Sequence, residues 1–63
     1  MIEVKHSSGL TKQFDDEHLA KIMVSAYRAG SSVLATAKAM EGQQKVLDGK
    51  VVKVNGYQIR LIG

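Results

Sequence analysis

Asn55-Gly56 stands between two alternating apolar runs, Lys50 to Val54 and Tyr57 to Ile62, and in that setting the dipeptide is the strongest short-range signal for a β-hairpin. A two-residue loop sets the register. Val54 then faces Tyr57, Val52 faces Ile59 and Lys50 faces Leu61. Val52, Val54, Tyr57, Ile59 and Leu61 share one side of the ribbon, while Lys53, Gln58 and Arg60 share the other. An oily face and a basic face follow from a dozen residues.

A first hairpin is read at residues 2–6 and 10–14, around Ser7-Ser8-Gly9, where Gly9 supplies the left-handed residue of a three-residue loop. Pairing Ile2 with Phe14, Val4 with Lys12 and His6 with Leu10 gathers Ile2, Val4, Leu10 and Phe14 on one face. Asp15, Asp16 and Glu17 come next, and acidic residues favour a helix N-terminus by opposing the macrodipole and capping free N–H groups. From Leu19 to Met40 the apolar positions keep one helical phase, so one long central helix is expected, with Gly42 just past its end. Gly30-Ser31-Ser32 offers the alternative of a kink or break, with a new helix capped by Ser31 or Ser32. Beyond Gly42, Gln44 to Leu47 is read as another strand, joined through Asp48-Gly49 to the one beginning at Lys50. The expected fold is a single α+β domain over residues 1–63. A small antiparallel sheet, made of an N-terminal hairpin and a C-terminal hairpin or three-stranded meander, packs on that helix.

The chain has 63 residues, no cysteine and only two histidines, His6 and His18. A core of this size seldom supplies more than about 3 to 5 kcal/mol without a disulfide, a metal or a partner. Disulfides are excluded and an ordinary structural zinc site is not expected. The helix also carries a second apolar arc, Ala20, Val24, Tyr27 and Ala35, and many small residues, among them Ala26, Ala29, Ala37 and Ala39. Such a face lets another helix approach closely, so a homodimer or homotetramer through the small-residue helix face is expected.

Nine Lys and Arg against six Asp and Glu give a net charge of +3, enough to attract a polyanion but spread too evenly to mark a nucleic-acid tail. No stretch is long and apolar enough for a membrane span, and the first residues lack the apolar core of a signal peptide. A cytoplasmic protein is expected.

Catalytic motifs are absent. Ser7, Ser8, Ser31 and Ser32 lie in no nucleophile elbow, and the phosphate-loop spacing does not occur. Asp15 and His18 are three apart, a weak metal motif that an acidic first helical turn explains as well. Two loops, His6 to Gly9 and Gly30 to Ser32, are candidates for holding an anion with turn N–H groups. A helix-turn-helix fits poorly, because the segment Val33 to Met40 has Lys38 as its sole cation. With Phe14 and Tyr57 expected inward, a base-stacking platform is disfavoured.

The expectation is therefore a non-enzymatic binding protein for an anionic, phosphate-bearing ligand, needing no cofactor or metal. That ligand would be nucleic acid, in a regulatory or accessory role, or a nucleotide held between subunits. Lys5, Lys12, Arg28, Lys53 and Arg60 are the candidate ligand-binding residues, with Lys45 on the neighbouring strand. The alternative is a small inhibitor of the phage or mobile-element type that binds a host protein or sequesters a host signalling molecule.

Overall fold

A computed structural model describes residues 1–30 and 32–63. Both hairpins form where the turn chemistry places them. Strands β1 (Ile2–His6) and β2 (Thr11–Phe14) make the first, and β3 (Val52–Val54) and β4 (Tyr57–Leu61) the second. Asn55 and Gly56 sit at φ of 48° and 82°, the paired left-handed residues of a type I′ turn. Val52 faces Ile59 and Val54 faces Tyr57 as the loop length requires, and Ile2 faces Phe14. Lys50 lies before β3 and does not join the ladder.

The two hairpins merge into one antiparallel sheet of order β2-β1-β4-β3, with β1 running along β4. Ile2, Val52 and Ile59 point to the same side, where they meet Leu19, Met23, Ala26, Ala39 and Val46 of the helical layer. Ile2, Leu19, Met23, Val46 and Ile59 are fully enclosed. The chain is an α+β unit, a four-stranded sheet with helices packed on it.

The helical segment differs from the single rod expected. A 3-10 turn (Asp16–His18) leads into α1 (Leu19–Ala26), and α2 (Val33–Leu47) follows separately. Asp15 makes no side-chain cap; Asp16 instead accepts from the Met1 ammonium, and the acidic residues otherwise act through their position in the first turn. The break begins at Arg28 rather than at Gly30. Ala29 N–H donates to Val24 C=O at 2.9 Å and Arg28 N–H to Ser25 C=O at 3.1 Å, the bond pair of a Schellman motif with Arg28 in the left-handed slot at φ 52°. Ser32 then caps α2, its Oγ accepting from Ala35 N–H at 3.3 Å. The alternative cap at Ser31 falls outside the described residues.

The strand expected over Gln44 to Leu47 is corrected to helix, because α2 continues to Leu47 and buries Ala39, Gly42 and Val46 at helical spacing. The C-terminal part is accordingly a hairpin, not a meander. Asp48-Gly49 closes α2 with a second Schellman motif: Lys50 N–H donates to Lys45 C=O at 2.9 Å and Gly49 N–H to Val46 C=O at 3.0 Å. Gly42, expected just past a helix end, lies inside α2 where the two helices touch. A Cβ there would stand 2.6 Å from Met23 Cε and 2.8 Å from Tyr27 Cε2.

Folding back suits the dimensions. The longest extent of the molecule is 30 Å, whereas an unbroken helix from Asp16 to Glu41 would span about 39 Å. Ala26, Ala29 and Ala39 are buried within the chain, so the small-residue face expected to meet a symmetry mate is covered in part from inside. The apolar phase also resets at the break: Leu19, Met23 and Ala26 are buried, but Val33, Leu34 and Met40 are exposed.

Two substitutions test this arrangement. Gly42→Ala should lower stability by about 1 to 3 kcal/mol through overpacking, although alanine is the better helix former by about 1 kcal/mol. A rise in the urea midpoint would show that the helices do not approach so closely. Arg28→Gly should raise stability by about 0.5 to 1 kcal/mol, because an L-residue in the left-handed region is strained where glycine is not; thermal melting with an unchanged or lower midpoint would contradict the turn described.

Candidate anion-binding face

Strand alternation puts one set of side chains under the helices and the other on an open face of the sheet. Register aligns that open set into rows. Thr11, Lys5, Gln58 and Lys53 form one row across all four strands, and Gln13, Glu3 and Arg60 form the next. Lys5, Lys53 and Arg60 of the expected ligand residues therefore come together on one face. Lys12 does not, since it faces Val4 and shares the helix side of the sheet. Arg28 lies in the turn after α1, and Lys45, expected on a neighbouring strand, lies in the last turn of α2.

The three cations differ in how free they are. Arg60 Nε donates to Glu3 Oε1 at 2.7 Å, and Lys5 Nζ stands 3.8 Å from the same oxygen. Glu3 is largely covered, at 9 % exposure. The hydrogen bond from Arg60, assisted by the charges of Arg60 and Lys5 and opposed by desolvation, holds its carboxyl below the ordinary range, and the same bond raises the already high Arg60 value. Arg60 thus acts chiefly as the counter-ion of Glu3. Lys53 makes no ion pair among the described residues. Lys5 and Lys53 flank Gln58 at the edge of a shallow depression whose lining also includes Ser7, Asn55 and Gly56.

In the first of the two loops expected to grip an anion, backbone donors are otherwise engaged. Ser7 N–H donates to Gly56 C=O at 2.9 Å and Gly9 N–H to His6 C=O at 2.9 Å, while Ser8 N–H donates to His6 Nδ1 at 3.2 Å. The first of these bonds ties the two hairpin tips together, and the other two close the β1–β2 turn on itself. In the second loop Ser32 serves as the α2 cap. Asp15, Glu17 and His18 bring ligand atoms within 4.8 Å of one another, and His18 Nε2 lies 3.7 Å from Glu17 Oε1, an exposed cluster at a helix start.

A second concavity was not foreseen. On the helix side of the sheet an open groove of about 500 Å³ is lined by Val4, Phe14, Ile22 and Tyr57, with His18 and Lys21 among its other residues. Phe14 and Tyr57 do point to that side, but the helices gather over β1, β4 and β3 and leave the β2 edge uncovered. Tyr57 packs against His6 in a tilted arrangement, ring centroids 4.7 Å apart, and remains 36 % exposed. The available signal was the composition of β2, where Phe14 is the sole apolar residue. Among the described residues no helix is long and apolar enough to cross a membrane.

Glu3 supplies a pH test. Its folded carboxyl is more acidic than the unfolded one (ordinarily about 4.3), so on acidification the unfolded chain takes up the proton first. The stabilisation is complete above that range and is lost as pH falls through it. Urea midpoints should be flat near neutrality and fall on acidification, and Glu3→Gln should flatten part of that fall. An unchanged profile in the variant would show that the pair contributes nothing. Comparison with known proteins found no matching family model, no similar curated protein and no matching solved structure.

Proposed function

We propose that the protein is a non-enzymatic binding protein whose open sheet face takes a phosphate-bearing ligand, with nucleic acid in a regulatory or accessory role as the first reading. The observation that carries it is the Lys5–Gln58–Lys53 row on β1, β4 and β3. Strands lie about 4.8 Å apart, so the two lysine backbones are about 10 Å apart, and two flexible side chains at that spacing can reach separate phosphates of one backbone. Gln58 between them offers a neutral donor to the same backbone.

By register the rows of this face hold no aromatic residue, and the His6 and Tyr57 rings that border the depression at the hairpin tips are packed against each other. That favours contact with a phosphate backbone over stacking on exposed bases, and over a nucleotide held by its ring. Because β4 is flanked by β1 as well as β3, the hairpin is no free ribbon for insertion into a major groove. Binding by charge to the backbone, with little sequence preference, is the mode that follows. The net charge of +3 would add steering at low salt.

The inhibitor reading stays second. Its support is the apolar groove beside β2, which together with an edge strand suits a segment of another protein; a stoichiometric partner lost on Phe14→Asp, in a variant that still melts cooperatively, would favour it.

Duplex binding followed by fluorescence anisotropy tests the first reading. Affinity should fall with salt at a slope of about −0.9 per neutralised phosphate, and the Lys5→Ala/Lys53→Ala double variant should reduce that slope by about 2. Salt-independent binding, or a double variant that binds like the wild type, would remove it.

A further inference from the structure

The outward side of α2 is apolar in a repeating way that nothing in the chain covers. Val33, Met40 and Leu47 are 85, 66 and 49 % exposed and succeed one another at intervals of seven residues, with Ala37 and Gln44 interleaved. Positions seven apart drift by only about 20° per heptad on a helix, so these side chains form one straight seam. The seam is centred about 130° around the helix from the buried Ala39, Gly42 and Val46.

We infer that this seam is the surface through which two copies of the chain pair, α2 against α2. Three features favour a second copy as occupant. First, interleaved positions at 3.5-residue average spacing are what helix-on-helix packing requires, and a two-fold axis brings the same seam to both sides. Second, the cations of α2, Lys38 and Lys45, lie about 120 to 140° around the helix from the seam, with Lys38 beside Val54 and Asn55, so copies that each carry +3 meet there without bringing lysine against lysine.

Third, the area is of the right order. With Ala37 and Gln44, which are exposed between them, the seam residues expose on the order of 500 Å², within the range of the largest patch on an ordinary monomer. Pairing removes it from both copies, about 1,000 Å² in all, the size at which specific interfaces begin. The contact leaves Lys5 and Lys53 open, because they lie on the sheet face away from the helices. It differs from the small-residue face expected for assembly, of which Ala26, Ala29 and Ala39 are buried inside one chain.

Sedimentation equilibrium without ligand decides it, and is therefore independent of the phosphate reading. The wild type should approach twice the 6.8 kDa chain mass at high micromolar concentration. Met40→Glu should weaken association at least tenfold while keeping wild-type circular dichroism, since a side chain this exposed supports no core. Leu10→Glu, at a residue 65 % exposed in the first hairpin loop, should leave the mass unchanged. In a chain without cysteine, Met40→Cys should form an intermolecular disulfide on mild oxidation, whereas Lys53→Cys should not. A wild type of single-chain mass throughout, a Met40→Glu variant that still pairs, or equal cross-linking at both sites would overturn the proposal and assign the seam to another partner.

Discussion

The missing side chain at Gly42 is the constraint on which the arrangement of the helical layer depends. The side-chain tips of Met23 in α1 and of Tyr27 just after it occupy the space where a Cβ would stand, so the first helix packs directly onto the backbone of the second. That contact suits a folded-back pair of α1 and α2 rather than a rod longer than the sheet beneath it. It also explains where the small residues go. Ala26 and Ala39 join the chain's own core, and the larger apolar residues of α2 are left on the outer side.

The hairpin tip and the helix end are joined by one side chain. Asn55 adopts the left-handed conformation its turn requires and donates from Nδ2 to Ala26 C=O at 2.8 Å. That carbonyl belongs to the last residue of α1, where intrahelical donors run out. The β3–β4 turn thus finishes α1, and the Ser7 to Gly56 bond ties the other hairpin to the same turn. Local turn chemistry and tertiary packing agree at this point, which is what a short chain without a disulfide needs in order to specify one structure.

The two sides of the sheet divide the labour. One is consumed by the core, and the other displays Lys5 and Lys53 with Arg60 bound to Glu3. A carboxylate among cations narrows the basic face to a row rather than a broad patch. The charge available to a ligand is set by this pairing more than by the count of basic residues. On a surface so open to water, charges are screened, and position within the row matters more than the number of cations.

Local chemistry made much of this legible. Asn55-Gly56 and Ser7 to Gly9 announced two hairpins and their registers, because turn geometry depends on a few adjacent residues. Alternation then placed Lys53, Gln58 and Arg60 on one face. What adjacency cannot carry was decided in three dimensions. Gln44 to Leu47 looked like a strand until Ala39, Gly42 and Val46 extended the helix by packing. The stop at Arg28 has no glycine to mark it, because bonds to Val24 and Ser25 hold an unfavourable residue in place. The β1–β4 pairing likewise joins segments far apart in sequence, with no turn to signal it. The sequence by itself determined the turns and the faces of each strand, since those follow from backbone sterics and a period of two. Only the tertiary structure decided which strands became neighbours, where the helix broke and which apolar residues stayed outside, because those depend on burial shared between distant segments.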